Sequence, residues 1–379
     1  MNKVSILATD DYTPALLDAS VERHFELLGL DSFLRAGMSV TLKPNLLMKR
    51  TPPEATTTHP EVVAAVVRAL KRRGVTNITL ADSPGGPYTV GMLNTIYKAS
   101  GMTEMAQREG IALNTDISYV TLPTATKRVN SLNLISPVIK TDLLISICKL
   151  KTHCMTGLSG GVKNLFGCVP GLQKPEFHYR FKEPAEFCDM LVDICETVRP
   201  AITFVDAVVA MEGDGPSGGT AKKVGLTFCA TNPYDLDVML AKLIHMPVTQ
   251  AKTVEASYLR GLAAQPADIE LCGAPELINS VKDFKLPRTK SLNFNRYLPN
   301  FMQGALDKFT DNFVTPRPSI KKKLCIGCGK CAESCPAHTI KVEQGKAVIN
   351  YEKCIKCYCC HEMCPVKAID VRRNRFFNM

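Results

Sequence analysis

Nine of the sixteen cysteines in this 379-residue chain fall between Cys325 and Cys364. They run Cys325-x2-Cys328-x2-Cys331-x3-Cys335-Pro336, then Cys354-x2-Cys357-x2-Cys360-x3-Cys364-Pro365. Two identical spacings, each closed by Cys-Pro, are the ligand pattern of paired [4Fe–4S] cubes. In that pattern the first three cysteines of a run wrap one cube and the fourth crosses to the other. The spacing therefore groups Cys325, Cys328, Cys331 and Cys364 around one cluster, and Cys354, Cys357, Cys360 and Cys335 around the second. Zinc sites also use Cys-x2-Cys pairs, but a repeated run of four with a terminal proline is poor zinc-site spacing. The ninth thiol, Cys359, is either a packing or hydrogen-bonding group beside a cluster or an alternative ligand. Iron–sulfur assembly needs reduced thiols. The N-terminus lacks a secretory apolar stretch, and no apolar run is long enough to span a membrane. A cytoplasmic location and no membrane span are expected.

The tail also concentrates the charge. The formal net charge is +10, and residues 321–379 carry twelve Lys/Arg against five Asp/Glu. A basic tail raises the question of nucleic acid, but each cube with four thiolates contributes negative charge that the lysines offset. No aromatic residues interleave the basic ones to make a stacking surface, so no nucleic-acid partner is expected. Arg372, Arg373 and Arg375 suit an acidic redox partner or a solvated terminus.

The length suits about two to three domains, and 45% apolar residues suffice for a real core. Upstream of the tail, strand-like and helix-like stretches alternate. Strands are expected at 4–8, 39–43, 77–81, 142–149, 201–205 and 224–230. Helices are expected at 14–28, 59–73, 91–107, 184–198 and 233–245. This pattern predicts an α/β fold, a mostly parallel sheet flanked by helices. It is followed by a small C-terminal α+β domain carrying the two clusters. The expected organisation is 1–272 for the α/β domain, 273–320 for a connecting segment with an amphipathic piece around Met302–Phe309, and 321–379 for the cluster domain.

Polar groups gather after the predicted strands, where parallel sheets bind ligands. Lys43 and Asn45 follow one strand and Asp82 another. If the strand ending at Lys149 stays extended, Lys149, Lys151 and His153 share one face. The following Ser159-Gly160-Gly161 turn, with Lys163 and Asn164, could cradle a carboxylate or phosphate on backbone N–H groups and ammonium donors. The spacing is neither a P-loop nor a dinucleotide fingerprint. Glu212 and Asp214 lie in a glycine-rich loop whose acids could hold a metal ion or orient a lysine or hydroxyl. His153 and His178 are the candidates for proton transfer. No motif calls for a flavin or a further metal. Cys148, Cys188, Cys195 and Cys229 read as core thiols.

The segments Lys43-Pro44-Asn45-Leu46, Lys149–Gly167 (KLKTHCMTGLSGGVKNLFG), Pro170-Gly171 with Lys174 and His178, and Glu212–Gly219 (EGDGPSGG) resemble the DUF362 family. The tail resembles that of members with a fused two-cluster, bacterial ferredoxin-like domain. The resemblance spans nearly the whole chain and implies the architecture. It supplies no substrate, because the family's biochemical function is unassigned. The residues lead to an iron–sulfur oxidoreductase passing electrons to an anionic small molecule, served by a redox partner protein. The alternatives are a non-catalytic electron carrier that docks a partner enzyme and a redox sensor.

Overall fold

The computed structural model describes residues 2–289 and 316–372. The amphipathic piece around Met302–Phe309, and Arg373 and Arg375, lie outside the described residues. The chain first builds β1 (Lys3–Ala8), β2 (Ser39–Pro44), β3 (Asn77–Leu80) and β4 (Ala112–Leu113). A separate antiparallel hairpin follows, β5 (Tyr119–Pro123) and β6 (Ser131–Ile135). Then come β7 (Leu143–His153), β8 (Gly157–Ser159), β9 (Ile202–Glu212), β10 (Thr220–Ala230) and β11 (Glu270–Gly273). The main sheet has nine strands in the order β11-β1-β10-β9-β7-β2-β3-β4, with β8 beside β7.

The sheet is mostly parallel, as the alternating pattern implies. Strands β9, β7, β2, β3 and β4 run in parallel register. The exceptions are the short β8, antiparallel to β7, and β10, which pairs antiparallel to both β1 and β9. The loop from Gly213 to Gly219 joins β9 and β10 directly as neighbours, which forces that reversal.

Alternation along β7 assigns its two faces. Ile145 and Ile147 join the core under the helices Pro14–Leu28, Pro60–Arg72 and Val90–Ala99. Cys148 and Leu150 join the core under Pro233–Leu243. Phe187, Met190 and Leu191 of the helix Pro184–Val198 fill a third cluster. Four of these helices, at Pro14, Pro60, Pro184 and Pro233, start on a proline, where its fixed φ and missing N–H do no harm. The helix expected at 91–107 is instead two, Val90–Ala99 and Met102–Glu109. Gly101 between them takes φ +76° and breaks the run.

The C-terminal unit contains β12 (Arg317–Ile320) antiparallel to β15 (Ile369–Arg372), and the hairpin of β13 (Ile340–Glu343) and β14 (Lys346–Ile349). Two short helices, Lys330–Glu333 and Cys359–Glu362, follow the paired cysteines. The segment expected to connect the domains over 273–320 is used at both ends. Ile278, Val281 and Phe284 are buried in the α/β core, and 317–320 form a strand of the C-terminal unit. The two units are packed together. Tyr358 and Val371 belong to the same apolar cluster as the helix Pro184–Val198.

Candidate functional site

The lysines of the strand ends divide into those with a fixed partner and those without one. Lys43 is fully buried and pairs with Asp82 at 2.6 Å. Asp82 also accepts the Leu46 N–H at 2.9 Å. Lys149 is buried and pairs with Asp206 at 2.8 Å, with the Tyr12 hydroxyl bonded to both. These two lysines brace the loops, and their charge is already met.

Lys151, two residues further along the same face, pairs with no carboxylate among the described residues. Its Nζ reaches Asn45 Oδ1 at 2.6 Å and the Thr56 carbonyl at 2.8 Å. Burial lowers its pKa to about 7, and the nearby Lys163 charge adds to that. Lys174 is also lowered to about 7, chiefly by burial. Its ammonium is spent on the Ser83, Pro84 and Val169 carbonyls and the Ser83 hydroxyl. Lys163 has neither a hydrogen-bond acceptor nor an ion pair among the described residues. It lies over the Phe166 ring at 4.7 Å and the Phe187 ring at 5.9 Å. Burial lowers its pKa as well, against the pull of Glu362.

Lys151, Lys163 and Lys174 all line one cavity of about 460 Å³. Asn45, His153, Ser159, Asn164 and His178 line it too. His153 is buried and kept neutral: desolvation drives its pKa far down, helped by Lys163. Its Nδ1 accepts the Met155 N–H at 3.1 Å, so the ring proton sits on Nε2. That nitrogen is 3.2 Å from Glu362 Oε1, but neither atom has a well-aligned hydrogen bond. His178 stacks on Phe187 at 4.3 Å, has an unpartnered Nδ1, and is lowered to about 3 by burial.

The remaining predicted residues are placed elsewhere. Gly160 and Gly161 do not face the cavity. The Gly161 and Val162 N–H groups bind Asp237 at 2.6 and 3.2 Å, so the expected anion cradle holds the chain's own carboxylate. Burial raises that carboxyl to about 7. Glu212 accepts the Lys285 N–H and Asp214 the Arg288 N–H. Their loop is a docking element. Ser217 Oγ donates to the Glu362 carbonyl at 2.7 Å, and the Asp214 carbonyl faces His361 Nε2 at 2.9 Å.

The opposite wall of the cavity comes from the C-terminal unit: Cys359, Glu362, Met363 and Pro365, with Lys330, Glu333 and Ser334. Residue-by-residue reading of the polar loops did not bring Glu362 or Cys359 into the site. Met363 lies against Gly85, where a Cβ would come within 2.7 Å of its sulfur. Arg50 fastens the two units, donating to the Cys364 carbonyl at 2.9 Å and the Pro365 carbonyl at 3.0 Å.

The cysteines gather as two sets of four. Cys325, Cys328, Cys331 and Cys364 line one small cavity. Cys335, Cys354, Cys357 and Cys360 line another. Backbone N–H groups point at three of these sulfurs: Ala347 at Cys325, Thr339 at Cys335 and Ala368 at Cys364. The tight loops need left-handed residues, and these recur in both runs: Gly327, Gly329 and His338 in the first, Lys356, Tyr358 and Lys367 in the second. Cys359 lines the large cavity and neither of the small ones.

The family model described as a domain of unknown function, DUF362, matches residues 40–242, more than half of the chain. The chain belongs to the DUF362 family. A second model, a 4Fe–4S dicluster domain, matches residues 317–365. The DUF362 domain is thus followed by a 4Fe–4S ferredoxin-type domain, the kind of domain that carries iron–sulfur electron transfer. A thylakoid-associated protein of Synechocystis sp. is 29% identical over 324 residues, covering 82% of this chain and 99% of that protein. Two solved structures are similar over part of the chain. The lactate racemase apoprotein of Thermoanaerobacterium thermosaccharolyticum has a TM-score of 0.36 and 14% identity, over 61% of this chain and 54% of that one. A protein from Thermotoga maritima has a TM-score of 0.37 and 14% identity, over 54% and 52%. The chain spans about half the length of each of these two structures. Among the described residues, no helix is long and apolar enough to cross a membrane.

Proposed function

We propose that this DUF362 protein is an iron–sulfur oxidoreductase acting on an anionic organic molecule held between its two domains. One observation carries the reading. The cavity that collects the underpaired lysines of the DUF362 domain is closed by the helix Cys359–Glu362, which contains Cys360 and is preceded by Cys357 of one cysteine set. A ligand there lies beside the second cluster position.

The cysteine sets fit two [4Fe–4S] clusters, Cys325, Cys328, Cys331 and Cys364 holding one and Cys335, Cys354, Cys357 and Cys360 the other. The N–H groups aimed at sulfur suit thiolates that carry charge. Among the described residues no three or more His, Cys, Asp or Glu are set around a single metal ion. A cube spreads its four thiolates over separate corners, so that tighter convergence is not what it requires. When bound, such clusters supply single electrons.

The protein's own groups do the rest. Lys163 and Lys151 neutralise the anion. Ser159 offers a hydrogen bond, and Asn45 holds Lys151 in place through its Oδ1. His153 or His178 moves the proton that accompanies reduction. Leu47, Met92, Ile96 and Leu172 also line the cavity. This suits a carboxylate with an apolar body better than a polyhydroxylated anion, whose hydroxyls would go unpaired against that wall. The volume is within the range of small-molecule sites.

The test is an anaerobic reoxidation screen. Protein purified under argon contains about eight iron and eight acid-labile sulfide per chain, and replacing Cys335 or Cys364 lowers both. After reduction, organic acids that carry an apolar body and a reducible double bond reoxidise the clusters, the bond being reduced with uptake of protons, and raise Tm. Reoxidation by proteins alone, with no small molecule raising Tm, would leave the electron-carrier reading in its place.

A further inference from the structure

We infer that electrons reach this protein through the face around Cys328, and that the partner docking there is an acidic one-electron carrier protein. The inference rests on the cluster assignment proposed above. It is independent of the substrate.

The two cysteine sets differ in exposure. Both adjoin the substrate cavity, one through Cys359 beside Cys360 and the other through Met363 and Pro365 on either side of Cys364. The set with Cys328 also reaches solvent. Of all sixteen cysteines, Cys328 alone is exposed. Ile326 beside it is 62% exposed and Leu324 50% exposed. Large apolar side chains at that exposure, next to a cluster thiolate, make a small apolar contact patch. Its surroundings are basic. The run from Lys321 to Cys331 has four lysines and no acid. Lys321 pairs with Asp370 at 2.8 Å. Lys322 and Lys323 are exposed and have no ion-pair partner among the described residues.

An apolar centre with a basic rim over a redox group selects a partner of opposite charge and speeds its encounter. The transfer is simple to balance. The carrier is oxidised by one electron, the cluster held by Cys325, Cys328, Cys331 and Cys364 is reduced by one, and no proton moves.

Full-length protein, mixed anaerobically with reduced flavodoxin as an acidic one-electron probe, tests this. The cluster reduction rate should fall steeply as NaCl rises from about 20 to about 500 mM, as screening shortens the reach of charge. Lys322→Glu combined with Lys323→Glu should slow reduction about tenfold or more at low salt and flatten the salt dependence. Ile326→Ser should slow it without changing that dependence. Iron content and the extent of reduction by excess dithionite, which needs no docking, should be unchanged. A charge-reversed variant reduced by flavodoxin within about twofold of the parent rate would overturn the assignment. So would loss of binding to anionic phospholipid vesicles with flavodoxin transfer intact, because the patch would then be a membrane contact. A protein that dithionite cannot reduce would overturn the cluster assignment itself.

Discussion

Single residues decide how charge is handled around the cavity. Lys43→Met would strand the Asp82 carboxylate in the interior, an expected loss of about 3–5 kcal/mol in denaturant unfolding. Lys163→Met should do the opposite. It removes a buried cation with no counter-charge, so the ligand-free protein should be no less stable, while affinity for an anion should fall by about 1.5–3 kcal/mol, or roughly 10- to 150-fold. Calorimetry on the parent and variant separates the two effects. The pH dependence follows from Lys151 and Lys174, both lowered to about 7. Between about pH 7 and the ordinary lysine value the unfolded chain binds more protons than the native one, so these two groups favour folding more as pH rises through that window. Anion binding has the reverse sign, because the ligand favours the charged ammonium. Affinity should weaken as pH rises above 7, and calorimetry at pH 8–9 in buffers of different ionisation enthalpy should detect proton uptake on binding.

At the level of elements, local punctuation was readable and long-range partnership was not. The helices Pro14–Leu28 and Pro184–Val198 match their expected limits, because a proline at the first position and a left-handed residue at the end mark both. The hairpin of β5 and β6 went unread because each strand is only five residues long. The 29-residue repeat of the cysteine runs carries its backbone with it: Gly327 and Lys356, Gly329 and Tyr358, and His338 and Lys367 all take left-handed φ at matching positions. Spacing alone reaches this far, because a cube dictates loop geometry. It cannot reach the cavity wall. Glu362 is nearly two hundred residues from Lys163 and is hidden among the C-terminal cysteines, with no signal to mark it as part of the polar loops. The Gly160-Gly161 turn misled for a similar reason: its anion is Asp237, from a helix seventy-odd residues on. An acid inside the otherwise apolar stretch 236–241 was the available clue. Asp237→Ala should bare the Gly161 and Val162 N–H groups and cost about 1–3 kcal/mol. The Asp237 carboxyl is raised to about 7, so the native state keeps a proton that the unfolded chain loses above about pH 4. Its contribution to stability is full at low pH and declines as pH climbs to 7. Asp237→Asn should remove that decline from the Tm–pH profile.

For the whole molecule, what matters is that the cavity belongs to neither domain alone. The DUF362 domain supplies the lysines and histidines, and the ferredoxin-type domain supplies Glu362, Met363 and the wall beside Cys357 and Cys360. Fusion keeps the two at high effective concentration, but productive contact depends on docking. Arg50 is the most direct link. It is buried, donates to the Cys364 and Pro365 carbonyls, and is held from behind by Glu54 at 3.0 Å. Neither carbonyl is a cluster ligand, so Arg50→Ala should leave iron content and the dithionite reduction rate intact. It also removes two charge-assisted hydrogen bonds across the contact, about 1.5–3 kcal/mol each. That should shift the docked population and slow reoxidation by a small-molecule acceptor about tenfold or more. Arg50→Lys keeps the charge but not the two-pronged geometry, so it should recover only part of the rate. Transfer from flavodoxin into the domain should be unaffected in both variants, because that face lies around Cys328. A variant that loses entry and exit together would mean the two ends of the domain are not separable. One that loses neither would mean the cavity is not where electrons leave.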